Sequence, residues 1–207
     1  MDYLASLLRL SLDEELLRLR DAAKQGRDPC APDDTLALLL ACARMRAPQH
    51  ILEIGTAEGL TSVALLSECA GARLTTVESD EERFLRAKAN FARFGVEGRV
   101  RALLADAADV LPALQGEEYE LIFLDGPKAQ YIHYLPDLKR LLAPRGVLFA
   151  DDVLLYGWVS GRAETPYKRR SIVQRLREYL SAVCTDPDLR TVVLEVGEGA
   201  AISVKTQ

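Results

Sequence analysis

Four residues in the second half of the chain carry the clearest chemistry: Asp125, Lys128, Asp151 and Asp152. Asp125 and Lys128 stand in Asp-Gly-Pro-Lys, and the other two carboxylates are adjacent in sequence. Three carboxylates that meet in space repel, so one must keep a proton or a cation must join them. Oxygen ligands alone suit a hard ion, Mg²⁺ first, with Ca²⁺ or Mn²⁺ as substitutes. Neighbouring strand residues point to opposite faces. Asp151 and Asp152 can therefore ligate together only if the chain turns there. A partly desolvated lysine beside a metal-held hydroxyl can act as general base. A solvated surface lysine is the competing reading of Lys128.

A second group lies earlier. His50-Ile-Leu-Glu-Ile-Gly-Thr-Ala-Glu-Gly-Leu60 reads as a buried strand, a glycine turn and the start of a helix. Gly55-x-x-x-Gly59 lacks the full Gly-x-Gly-x-x-Gly of a nicotinamide site, and no Gly-Lys-Ser/Thr phosphate loop is present. Glu78 lies 19 positions beyond Gly59, near the ~20-residue offset at which an acid holds ribose hydroxyls. Glu53 interrupts the apolar strand and is expected to face the same pocket. An anion there repels a pyrophosphate and welcomes a cation. A ligand with a ribose, no phosphate, an ammonium and a sulfonium fits: S-adenosylmethionine. Asp106 or the backbone of Ala107 could meet its adenine edge. For Asp80 and Asp109, helix capping is the preferred reading.

The elements that must position these residues alternate. Strands are predicted at 50–54, 73–78, 100–104, 119–124 and 146–150. Helices are predicted at 60–69, 81–94, 109–114 and 131–142. Such alternation implies a parallel sheet with helices on both faces, and ligands then bind at its carboxyl edge. A helix over 167–184 and strands at 189–196 and 200–205 follow. The short Gly197-Glu-Gly199 link makes that last pair an antiparallel hairpin. Upstream, a leucine stripe predicts helix over 4–25, with Ser11-x-x-Glu14 as a capping box and Gly26 as a stop. That stripe could pack on the core or form a dimer interface. Residues 28–32 read as a loop, and Asp33 or Asp34 as the cap of a helix ending near Met45.

The chain has 207 residues, enough for one α/β domain over 1–207, with 1–28 as a helical extension. A net charge of −5 disfavours a large non-specific nucleic-acid surface. No apolar run nears the ~20 residues of a membrane span, and no basic signal-peptide region opens the chain. The four cysteines are scattered with no Cys-x-x-Cys pair, which argues against structural zinc and fits a reducing cytoplasm.

With these residues in hand, the chain resembles the class I S-adenosylmethionine-dependent methyltransferases. More narrowly, it is similar to the cation-dependent O-methyltransferases that include the catechol and caffeoyl-coenzyme A enzymes. Ile51-Leu-Glu-Ile-Gly-Thr56 resembles the first motif of that family, and Thr76-Val-Glu78 its ribose-binding acid. Phe123-Leu-Asp-Gly-Pro-Lys-Ala-Gln-Tyr131 resembles the metal-and-lysine loop. Leu141 to Leu155 resembles the strand with the other two metal ligands, and Val196 to Ser203 the terminal hairpin. The resemblance implies a Rossmann-like, seven-stranded, mostly parallel sheet. It implies that Glu53, Thr61, Glu78, Asp106, Ala107 and Asp125 line the cofactor pocket, with a looser contact near Ala31. Asp125, Asp151 and Asp152 would hold the metal, and Lys128 would be the base. The family usually has Asn where this chain has Asp152. Leu60 stands where an aromatic is common, and Glu58 is unusual in that turn.

The implied reaction is metal-assisted methyl transfer to a hydroxyl of a catechol-like small molecule or of 5-hydroxyuridine in tRNA. The small bacterial branch that includes the tRNA enzyme resembles this chain most, and a homodimer is expected. Tyr167-Lys-Arg-Arg-Ser171 could contact phosphates, or could be a solvated helix face. Tyr156 and Trp158 could wall an aromatic substrate, or could be core. The competing classes are a non-catalytic cofactor-binding protein with a decayed metal site and a nicotinamide-dependent oxidoreductase.

Overall fold

The computed structural model describes residues 3, 7–25 and 30–207. Leu4 of the leucine stripe, the Gly26 stop and the start of the 28–32 loop lie outside the described residues.

The first described helices are α1 (Glu14–Lys24) and α2 (Asp33–Arg46). An α/β alternation follows: β1 (His50–Ile54), α3 (Leu60–Glu68), β2 (Arg73–Glu78), α4 (Glu81–Arg93) and β3 (Val100–Leu104). It continues through α5 (Ala107–Ala113), β4 (Tyr119–Leu124), α6 (Tyr131–Leu141) and β5 (Leu142–Ala150). The chain ends in α7 (Arg170–Thr185), β6 (Leu189–Leu194) and β7 (Ala200–Lys205). The seven strands form one sheet in the order β3-β2-β1-β4-β5-β7-β6. The pairs from β3 through β5 are parallel. β7 runs antiparallel to both β5 and β6. The mostly parallel sheet with a terminal antiparallel hairpin is the architecture expected from the sequence.

Strand parity divides the core in two. Leu52, Ile122, Leu124, Leu148 and Ala150 bury on one face with residues of α5, α6 and α7. Ile51, Leu121, Phe123, Val147 and Phe149 bury on the other with residues of α1 to α4. A sheet covered on both sides needs near-continuous apolar strands, so polar residues collect where the strands end. Leu16 of α1 is fully buried in the second cluster, and Leu12 and Leu19 pack against it, whereas Leu7 is exposed. The part of the leucine stripe from Leu12 to Leu19 therefore packs on the core.

Several local expectations are corrected. The cap of α1 is Asp13, whose carboxylate accepts from Glu15 N at 2.8 Å and Leu16 N at 3.3 Å, and not Ser11. Asp33 and Asp34 lie inside the first turn of α2, after Pro32. Acids are favourable there through the helix dipole without capping. Asp106 caps α5, and Asp109 lies within its first turn; Asp80 caps α4 as expected. β5 begins at Leu142, earlier than predicted, because an irregularity between Tyr119 and Leu121 carries the pairing over a left-handed Arg145. Among the described residues no helix is long and apolar enough to cross a membrane.

Gly59 caps α3 with φ +73°, and a Cβ there would lie 2.5 Å from the ring of the buried Phe91. Its smallness seats α3 against α4. Gly59→Ala combines a left-handed alanine with overpacking and should destabilise the chain by about 2–4 kcal/mol. Equilibrium urea denaturation checks this, and an unchanged midpoint would contradict it.

Candidate active site

A cavity of about 440 Å³ opens at the carboxyl ends of β1, β2 and β4, within the range of small-molecule sites. Gly55, Glu78, Asp106, Ala107, Asp125 and Tyr134 are among its lining residues. Gly55 closes β1 with φ +95°, and a Cβ there would sit 2.4 Å from the carbonyl oxygen of Asp125. The two strand ends can approach only because the side chain is absent.

Glu78, at the end of β2, accepts three backbone N–H groups: Ala57 at 2.8 Å, and Ser79 and Asp80 at 2.9 Å each. The carboxylate is thereby fixed at the cavity wall before any ligand arrives. Asp106 accepts from Ala108 N at 2.8 Å as the α5 cap. Burial and the neighbouring Asp106 charge push the Tyr134 hydroxyl up to about 12.

The charged cluster sits beside Asp125. The Lys128 ammonium donates to Asp125 Oδ1 at 2.6 Å and lies 3.1 Å from Asp152 Oδ2. It also donates to the Tyr131 hydroxyl at 3.1 Å. That hydroxyl stands 2.9 Å from Leu124 O and 3.1 Å from Asp151 O, so one ring joins the lysine to the ends of β4 and β5. Asp152 has φ +56°, and its N–H donates to Asp151 Oδ1 at 2.8 Å. The chain does turn at the adjacent pair. Burial opposes a charge on Lys128, but Asp125, Tyr131 and Asp152 more than offset it and hold its pKa well above the ordinary lysine value. Burial raises Asp125 despite the ammonium beside it. Burial and the Asp125 and Asp152 charges push Asp151 up to about 8.

The expected carboxylate triad is not closed on itself. Among the described residues, no three His, Cys, Asp or Glu side chains stand close enough to hold a metal ion together. The carboxylates are arranged around the Lys128 ammonium, which takes the position between Asp125 and Asp152. Four expected pocket residues also lie off the cavity lining. Glu53 shares strand parity with Ile51, so it points to the α3 side and is fully buried. There it accepts from Ser62 Oγ and, at 2.6 Å, from Thr76 Oγ1. Gly59 meets Phe91, and Thr61 is buried in α3. Ala31 is buried where its carbonyl accepts from Arg20 at 2.7 Å. Two residues were missed, Tyr131 and Tyr134. They follow Lys128 at successive spacings of three, which on one helical face would have marked them.

Burial pushes Glu53 up to about 7 from 4.5, against the opposing hydrogen bonds of Ser62 and Thr76. A folded-state pKa raised in this way favours the folded chain below the unfolded value, and the contribution is lost as pH rises through about 7. Wild-type stability should therefore fall between about pH 5 and pH 8 relative to Glu53→Gln, by a difference on the order of 3 kcal/mol. Urea titrations of both chains across that range would refute this if the two curves ran parallel.

The model of a methyltransferase-domain family matches residues 52–153. A protein of Mycolicibacterium vanbaalenii assigned as an O-methyltransferase is 32% identical over 168 residues, which cover 79% of this chain and 71% of that one. A Staphylococcus aureus structure assigned as a caffeoyl-CoA O-methyltransferase matches with a TM-score of 0.89 at 30% identity, over 98% of this chain and 97% of that one. The O-methyltransferase TomG of Streptomyces achromogenes, solved with S-adenosylmethionine, matches with a TM-score of 0.85 at 26% identity, over 99% and 95% of the two chains. A cavity walled by carboxylates at the carboxyl edge of this sheet, in a chain so related, places the protein in the class I S-adenosylmethionine-dependent O-methyltransferase family.

Proposed function

We propose that the chain methylates a hydroxyl that has a second oxygen beside it, on a catechol-like small molecule, with a divalent cation at Asp125, Asp151 and Asp152. The observation that carries this reading is the cluster of Lys128 with these three carboxylates beside the cavity. The cavity lining fits S-adenosylmethionine, and the donor chemistry of the three carboxylates suits a hard cation, which would have to draw Asp125 and Asp152 away from Lys128 to be held by all three. Glu78, Asp106 and Asp125 give the cavity wall an acidic character, which suits a sulfonium and an ammonium better than a pyrophosphate. One ammonium and three carboxylates leave an excess of negative charge, and an all-oxygen set suits Mg²⁺. When bound, S-adenosylmethionine supplies the electrophilic methyl group, and the cation supplies charge that lowers the pKa of a substrate hydroxyl.

The chain's own residues do the rest. Glu78 holds the ribose hydroxyls, and Asp106 or the Ala107 backbone meets the adenine edge. Lys128 is charged in its ion pairs; with Asp125 and Asp152 drawn away towards a bound cation its pKa would fall, so that it gives up one proton to solvent and can then accept the proton of the reacting hydroxyl. Tyr131 keeps the side chain in place meanwhile. Most of the rate enhancement comes from positioning and electrostatics. The Staphylococcus aureus relative is assigned to an aromatic acyl-coenzyme A, and TomG acts in tomaymycin synthesis; both support a small-molecule acceptor. A second reading is 5-hydroxyuridine in tRNA. It is favoured by the exposed Tyr167, with Arg170 5.3 Å from its ring centre and Lys168 and Arg169 exposed beside it.

Transfer of labelled methyl to catechol and to tRNA, each with Mg²⁺ or with EDTA, tests both readings. The expected result is transfer to catechol that EDTA abolishes and Mg²⁺ restores. Asp125→Ala should lower it at least about 100-fold. Labelling of tRNA alone would replace the first reading with the second. Transfer indifferent to both EDTA and Asp125→Ala would overturn the metal-assisted scheme. Tyr131→Phe should lower kcat about tenfold, the worth of a hydrogen bond to a charged group, and leave cofactor affinity unchanged. Single-turnover rates and cofactor titration check that, and equal losses in both would contradict it.

A further inference from the structure

Four consecutive backbone N–H groups after the Asp151-Asp152 pair converge on the turn between β6 and β7. Val153 N donates to Gly199 O at 2.9 Å, and Leu154 N and Leu155 N donate to Glu198 O at 2.9 and 3.1 Å. Tyr156 N donates to the Glu198 carboxylate. The turn is itself tied to the start of α2, since Gly197 N donates to Asp34 Oδ2 at 3.1 Å. Leu155 and Tyr156 both have positive φ, +41° and +54°. Each such residue costs on the order of 1–2 kcal/mol and persists only when its surroundings fix it.

The bonds divide the labour. The carbonyls of Glu198 and Gly199 fix 153–155, and only the Glu198 side chain reaches Tyr156. Tyr156 is exposed and lies over Trp158, with ring centres 4.9 Å apart at 57°. Trp158 is half-buried against the core, and its carbonyl accepts from Arg177 at 3.3 Å. The pair is therefore a surface platform four and six residues beyond Asp152. Flat aromatic acceptors stack on such platforms.

We infer that Glu198 is a positioning residue for the methyl acceptor: its carboxylate holds Tyr156 against Trp158, and the pair forms a wall for a flat aromatic acceptor. The inference rests on the reading that Asp125, Lys128, Asp151 and Asp152 handle that acceptor. Glu198 acts through the Tyr156 backbone.

Trp158 is the single tryptophan of the chain, so its fluorescence reports the platform without reference to activity. In the full chain, Glu198→Ala should red-shift Trp158 emission and increase its quenching by acrylamide. It should raise KM for catechol on the order of tenfold, the loss of one charge-assisted hydrogen bond, with S-adenosylhomocysteine affinity within about twofold of wild type. Glu198→Gln, which keeps an acceptor oxygen, should restore both the emission and KM. Unchanged Trp158 emission in Glu198→Ala would overturn the latch. Altered emission with unchanged KM would overturn its role toward the acceptor. If wild type labels no catechol at all, the functional reading fails, and the emission of the two variants still decides the latch.

Discussion

Among the described residues, the Lys128 ammonium is the positive charge set against Asp125 and Asp152 with Asp151 beside them, and the carboxyl edge of β4 and β5 is organised by that imbalance. A carboxylate removed from water is costly unless a counter-charge or hydrogen bonds replace the lost hydration. Asp125 has the ammonium at 2.6 Å. Asp151 is nearly inaccessible, and its side chain has the Asp152 N–H for a partner. Its pKa near 8 follows from burial among like charges. Tyr131 stabilises the arrangement because its hydroxyl reaches the lysine, the last carbonyl of β4 and the Asp151 carbonyl just beyond β5 together. Loosening that ring would let the two strand ends and Lys128 move independently.

The cofactor side is organised differently. Glu78 is held by backbone N–H groups, and Asp106 is held by the helix it caps. Such contacts come mostly from neighbouring residues, so strand-turn-helix patterns reveal them in advance. That is why the parallel strands, and the position of Glu78 and Asp106 at the strand ends, were legible in the sequence. Glu53 was misread for a related reason. An acid in an apolar strand signals a special environment, but only parity says which face it occupies. Once Ile51, Phe123 and Phe149 are placed on the α1 to α4 side, Glu53 must join them. Gly59 was misread because a glycine needed for Phe91 looks the same in sequence as one needed for a ligand.

What sequence could not supply was contact between distant segments. The hairpin of β6 and β7 was readable from its short turn. The insertion of β7 between β5 and β6 was not, because it depends on which edge of the sheet is free. That insertion brings Glu198 to Tyr156, 42 residues away in sequence. It also aligns Ala150 with Ala201, next to the carboxylate pair.

The two halves of the site thus differ in how they can change. Alterations on the cofactor side would break local turns that also start α3, α4 and α5. On the other side, the wall proposed for the acceptor is a pair of aromatic side chains on a segment fastened by one turn. Replacing Tyr156 or Trp158 would reshape that wall while leaving the bonds of 153–155 to Glu198 and Gly199 in place. A fold built this way can keep one methyl donor and vary its acceptor, since the strand ends that carry Asp125 and Asp151 are tied together by Tyr131 and not by Tyr156 or Trp158.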